Sequence, residues 1–248
     1  MRTPDFGNIL RILNRQKPER PTLFEFFLND RLYQRMNGEG AIGSWEAGTR
    51  CRAVVRAYPR FGYDYATVLA SDFQFPTKPH DSQASRSMND SALIHDRASF
   101  EAYSWPDPDR CDYSRLDTLR ADMVPGMKLI VYGPCGVLEN VMAIVGYEPI
   151  CLLLADDPAL AKDIFDAVGS RLLRYYQIAA KHDSVGALIS NDDWDFASQP
   201  MLSPTDIRQY VFPWHKKIAS TIHAAGKPAI LHSCRQLESL MDIIIDEM

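Results

Sequence analysis

Two residues near the C-terminus have the types and spacing to hold a metal. His232 and Cys234 stand at i and i+2, just past the apolar run 227–231 (KPAIL). On an extended chain such a pair projects to one face. Imidazole and thiolate together suit zinc, and a catalytic zinc takes three protein ligands and keeps one position open. Two ligands are a weak motif, and a satisfied core histidine beside an unreactive cysteine would give the same pair. Cys135, in the turn Gly133-Pro134-Cys135-Gly136, is a candidate third ligand or a small buried thiol. Carboxylates follow two other apolar runs. Asp72 comes after 65–69 (YATVL), where it could accept substrate N–H groups or orient a metal-bound group, or simply cap a turn. Asp192 and Asp193 come after 185–190 (VGALIS). Neighbours on an extended chain point to opposite faces, so at most one of the two faces the site, with Asp193 the expected one; capping and turn chemistry for the loop before Ser203 is the alternative. Glu139 falls in the first turn of a helix, where a carboxylate is favourable without any catalytic role. Glu25 lies within 22–28 (TLFEFFL) and either faces the interior or pairs with an arginine.

These residues need elements to position them. The runs 22–28, 65–69, 127–132, 185–190 and 227–231 read as strands. Between the later ones lie helices. One starts near Val137. A second has Asp157 as N-cap and Pro158 at the first helical position. A third opens on Ser203-Pro204-Thr205-Asp206, bends at Pro213 and stops at Gly226. Phe6, Ile9, Leu10 and Leu13 share a helical face at the start. Residues 73–126 are rich in proline, serine and aspartate and read as a long excursion with short helices, of the kind that covers or shapes a site. Alternating strands and helices predict an α/β fold with a parallel sheet. The candidate residues then gather at the strands' C-terminal ends, the rim where barrel active sites lie.

Composition excludes several classes. Lys and Arg number 27 against 32 Asp and Glu, a net charge of −5, and Lys216-Lys217 is the only adjacent basic pair, so no nucleic-acid surface is expected. No apolar run approaches the ~20 residues of a membrane span, and residues 1–20 lack the apolar stretch of a signal peptide. Five cysteines, odd in number and widely spaced, fit reduced thiols in the cytoplasm.

Several motifs in order resemble the uroporphyrinogen decarboxylase superfamily. They are Arg20-Pro21 before TLFEFF, Tyr63-Asp64-Tyr65 running into Ser71-Asp72-Phe73, the WPDPD segment 105–109, GPCG, NDDW at 191–194, the stretch from Leu202 to Trp214, and ILHSC at 230–234. The branch that looks nearest is the zinc- and corrinoid-dependent methyltransferases. The resemblance implies a TIM-type (β/α)8 barrel and a zinc site that uses the His-x-Cys pair, His232 and Cys234, with a later cysteine as third ligand. It implies methyl transfer between a small-molecule donor or acceptor and a corrinoid (cobalamin) on a separate protein. Gly133 and Gly136 would let that cofactor approach the backbone. A homodimer is possible in such a family. In the decarboxylases, an aspartate at the position of Asp72 holds pyrrole N–H groups. Their arginine-rich motif after the first strand is replaced here by Leu28-Asn29-Asp30-Arg31, and Asn140 and Asp193 stand where they carry Tyr and Ser. Arg235 follows Cys234 where many relatives have Gly.

Three readings follow: a zinc methyltransferase, a uroporphyrinogen decarboxylase of porphyrin biosynthesis, and an inactive fragment. The third arises from the strand count. Five βα units fall three short of a barrel, roughly 90–100 residues. The chain thus reads as a single barrel domain, residues 1–248, truncated after its fifth unit, with an exposed sheet edge and low stability alone.

Overall fold

The computed structural model describes residues 2–38, 47–78, 93–196, 198–234 and 237–248. Its centre is a parallel sheet in the order β1 (Tyr65–Leu69), β2 (Lys128–Tyr132), β3 (Val185–Asn191), β4 (Ala229–His232). Tyr65 pairs with Lys128, Ile130 with Ala187 and Asn191 with His232, so the strands end together at one rim. β1 to β3 are buried almost throughout, as strands covered on both faces must be. β4, at the edge, is only half-buried.

Helices α1 (Gly7–Leu13), α2 (Asp30–Asn37) and α3 (Ala47–Phe61) precede β1. Between β1 and β2 run α4 (Arg97–Ala102), α5 (Arg115–Thr118) and two 3-10 turns. α6 (Val137–Val145), α7 (Tyr147–Asp156) and α8 (Pro158–Ala179) separate β2 from β3. α6 and α7 meet at 96° across Gly146, whose φ of +96° suits a residue without a side chain. The Asp157 side chain caps α8 through the Leu160 N–H, and Pro158 follows it. Leu160, Ile164, Phe165, Val168, Leu172 and Tyr175 form its buried stripe. Between β3 and β4, α9 (Pro204–Asp206) is capped by Ser203 and passes through a π-turn, Ile207–Val211, into α10 (Phe212–Ala224). Pro213 lacks the N–H that would continue an α-helical ladder, and the wider turn absorbs that loss. α11 (Met241–Glu247) is the last element. Among the described residues no single helix is long and apolar enough to cross a membrane.

The expected strand 22–28 does not form. Leu23, Phe24 and Phe27 are exposed, Phe27 by 62%. The segment is held by tyrosine hydroxyls instead of a strand ladder. Tyr65 Oη accepts the Glu25 N–H at 2.5 Å and donates to the Glu25 carbonyl at 2.8 Å, and Tyr58 Oη donates to the Phe26 carbonyl at 3.2 Å. These tyrosines are fully buried and bring their polar tips to the sheet edge, where they substitute for a neighbouring backbone.

None of the described residues of the excursion 73–126 lines the cavity at the strand ends. Its described part packs on α8, with Arg97 on Asp163 at 2.6 Å, Arg174 on Asp109 at 2.5 Å and the Arg171 guanidinium 4.7 Å over the Trp105 ring.

Candidate functional site

β3 and β4 carry the ligands into one cluster. Their pairing ends at Asn191 and His232, and the chains beyond stay side by side. The Asp192 N–H donates to the His232 carbonyl at 3.0 Å, and the Cys234 N–H donates to Asp193 Oδ1 at 2.7 Å. One ligand atom from each of Asp193, His232 and Cys234 falls within 4.8 Å of the other two. Sγ of Cys234 lies 3.6 Å from Nε2 of His232. A thiolate at about 2.3 Å and an imidazole at about 2.0 Å from zinc, at the tetrahedral angle, would lie about 3.5 Å apart. The donor set is nitrogen, sulfur and one free carboxylate oxygen, and it fits zinc. The set differs from the one the resemblance implied, because here a carboxylate stands third beside the His-x-Cys pair. Arg235 lies outside the described residues.

The cluster lines a cavity of about 510 Å³, the size of a small-molecule site. An aromatic wall adjoins the cluster. Phe26 sits edge-on to His232 with ring centroids 4.7 Å apart and to Tyr132 at 5.1 Å. Tyr33 and Phe27 also line it, beside Arg50, which is bonded to Asp30 at 3.0 Å.

The two adjacent aspartates, both past the end of β3 and both lining the cavity, divide in role. Asp193 joins the ligand cluster. Asp192 turns its carboxylate into the helical layer, where it accepts the N–H groups of Leu138 at 2.9 Å and Glu139 at 3.0 Å, the free donors of the first turn of α6. A carboxylate there also meets the positive end of the helix.

The GPCG turn links β2 to α6. The side-chain amide of Asn140 clamps it by donating to the carbonyls of Pro134 at 3.0 Å and Gly136 at 2.6 Å. Both glycines have a reason inside the protein. A Cβ on Gly136 would lie 2.1 Å from Asp192 Cβ, and one on Gly133 2.4 Å from the Tyr176 hydroxyl. Cys135 faces the cavity in a left-handed conformation with φ +63°. Desolvation, with the carboxylates of Glu139, Asp192 and Asp193 around it, pushes its thiol up to about 11. It lines the cavity wall and is not one of the three clustered ligands.

Asp72, past the end of β1, is exposed and does not line the cavity. Its charge acts on Cys111, whose thiol is raised first by burial and then by Asp72 and Asp107. Glu25 is also exposed and engages Tyr65 through its backbone. Arg20, which opens the TLFEFF motif, is ion-paired with the fully buried Asp64 at the opposite end of β1.

The sequence reading overlooked Glu139 as a cavity residue. Its Oε2 accepts the Gly136 N–H at 2.8 Å, which is the capping role expected. It also lines the cavity, where burial and then the Asp192 charge raise its carboxyl to about 7. The Gly136-to-Glu139 spacing signalled the cap and concealed the wall. His215 was overlooked too. Its signal was a histidine on the same face of α10 as Ile218 and Ile222.

A parallel α/β arc with a polar, metal-competent rim at its strand ends defines the class of barrel enzymes whose sites sit above the sheet. The uroporphyrinogen decarboxylase (URO-D) family model matches residues 93–246, and the chain belongs to that family. A solved structure, a methyltransferase from Methanosarcina mazei, superposes with a TM-score of 0.65 at 12% identity, covering 96% of this chain and 72% of that one. At that identity the likeness is one of fold. No curated protein matches the chain.

Proposed function

We propose that this protein is a zinc-dependent methyltransferase that exchanges a methyl group between a small molecule in the cavity and a corrinoid. The observation that carries the reading is the convergence of Asp193, His232 and Cys234 on one point of the cavity wall. Zinc supplies Lewis-acid chemistry there, keeping a substrate thiol as a nucleophilic thiolate or polarising a methyl donor. Asp193, His232 and Cys234 would hold the ion. Phe26, Tyr132 and Tyr33 exclude water from one side of the substrate, and Arg50 sets a positive charge at the rim. The cavity is small-molecule sized, so the corrinoid is a co-substrate presented at the mouth by a separate protein and not a resident group. Asp72, the residue uroporphyrinogen decarboxylation would need at the site, stands outside the cavity.

The test is elemental analysis with a methyl-transfer assay. Wild type should hold about one zinc per chain, and His232→Ala and Cys234→Ala should each lose it. Methylcobalamin should be demethylated in the presence of a thiol acceptor by wild type alone. A chain without stoichiometric metal, or metal retained in both variants, refutes the reading. Coproporphyrinogen formed from uroporphyrinogen would establish the decarboxylase instead.

A further inference from the structure

Behind the ligands runs a buried polar chain that the reaction above does not use. Ser190, Asp192 and His215 are 5%, 1% and 1% exposed. Ser190 Oγ lies 2.8 Å from His215 Nδ1, and His215 Nε2 lies 2.9 Å from Asp192 Oδ2. An ionised carboxylate can only accept, so a neutral His215 carries its proton on Nε2, and Nδ1 accepts from the Ser190 hydroxyl. Ser, His and Asp in series have the order of a nucleophilic triad. Ser190 and His215 do not line the cavity, however, and the Asp192 carboxylate is already engaged by two helix N–H groups. The chain is a structural tie from α10 through β3 to α6.

That tie ends at the metal ligands. Asp192 donates its N–H to the His232 carbonyl, and its neighbour Asp193 accepts from the Cys234 N–H. We propose that His215 is a positioning residue for the metal centre: by gripping the Asp192 carboxylate from α10, it fixes the end of β3 that aims Asp193 at His232 and Cys234. The inference rests on the zinc-dependent reading. Groups that orient ligands typically change metal affinity 10–100-fold when removed.

The experiment measures zinc affinity by chelator competition on the full chain, alongside thermal melts of the metal-free protein. Four proteins are compared: wild type, His215→Ala, His215→Gln and Ile222→Val. The amide nitrogen of Gln can reach the place of Nε2 and keep the donor to Asp192. Ile222 is buried two turns further along α10, away from the polar chain. His215→Ala should bind zinc roughly 10–100-fold more weakly. His215→Gln should recover most of that loss. Ile222→Val should melt lower yet bind zinc like wild type, which separates positioning from general stability. Should His215→Ala not fold, His215→Asn takes its place, since it withdraws the donor from Asp192 while keeping a polar group for Ser190. The inference is overturned by undiminished affinity in the Ala or Asn variant, by a Gln variant as weak as Ala, or by an equal loss in Ile222→Val. A wild type that binds no zinc refutes the zinc-dependent reading itself, and the inference falls with it.

Discussion

Glu139 makes the stability of this fold depend on pH in a calculable direction. Its carboxyl is raised from 4.5 to about 7, chiefly by burial and then by the Asp192 charge. In the unfolded chain the same group titrates at its ordinary value. Below pH 4.5 both states hold the proton and Glu139 costs nothing. As pH rises towards 7, the folded state keeps a proton that the unfolded state has released. Stability therefore falls with rising pH across this window, by about 1.4 kcal/mol per unit of difference. The span from 4.5 to about 7 corresponds to roughly 3 kcal/mol, an upper bound because the cavity mouth admits water. Glu139→Gln removes the proton equilibrium and retains an amide oxygen to accept the Gly136 N–H. Urea unfolding of wild type and variant, with chelator present, should give equal stabilities near pH 4.5. Near pH 8 the variant should be the more stable by about 1–3 kcal/mol. A difference curve that is flat with pH, or one in which wild type gains on the variant as pH rises, refutes the reasoning. With zinc bound beside it, the added positive charge favours the ionised carboxylate, so the window should shrink.

Asp192→Ala leaves two helix N–H groups and the His215 ring without their acceptor, and at about 1–3 kcal/mol for each of the three orphaned donors the loss in urea unfolding should be about 3–9 kcal/mol; a loss below about 1 kcal/mol would contradict the tie. Gly136→Ala drives a methyl group into Asp192 and should cost about 1–3 kcal/mol in the same assay and weaken zinc binding, and a neutral outcome would contradict the close approach. Tyr65→Phe removes the hydroxyl that holds Glu25 through both of its backbone groups, so limited proteolysis should cut within residues 22–28 faster than in wild type, with unchanged cleavage as the refuting result.

What the sequence disclosed follows from the range of the forces involved. β1 to β3 were legible because strands buried on both faces must be nearly continuous apolar runs, and VGALIS or KLIVY admit few other placements. The caps at Asp157 and Ser203 were legible because they satisfy helix donors two or three residues away. Residues 22–28 misled because an apolar, phenylalanine-rich run satisfies the same local criterion. What decides its conformation is the hydroxyl of Tyr65, forty residues distant, which no local pattern encodes. The placements of Asp193 and Asp72 were less legible, since both lie past the ends of their strands, where the two-residue period no longer holds them.

The motifs that carry the family likeness thus divide between scaffold and chemistry in this chain. Arg20 neutralises Asp64 below β1, and Trp105 is stacked against Arg171 on the outside of α8. The stretch from Leu202 to Trp214 supplies a cap and a π-turn that bring His215 inward. None of these touches the cavity. Phe26 and Phe27 of TLFEFF reach it as part of its aromatic wall, and GPCG, NDDW and ILHSC reach it from the ends of three consecutive strands. They also interlock, since Gly136 makes room for Asp192, Asp192 bonds the backbone of His232, and Asp193 bonds that of Cys234. A substitution in any of the three should therefore move metal affinity, including at positions that never meet the ion. The scaffold motifs should move stability and leave that affinity unchanged, except where they act through His215.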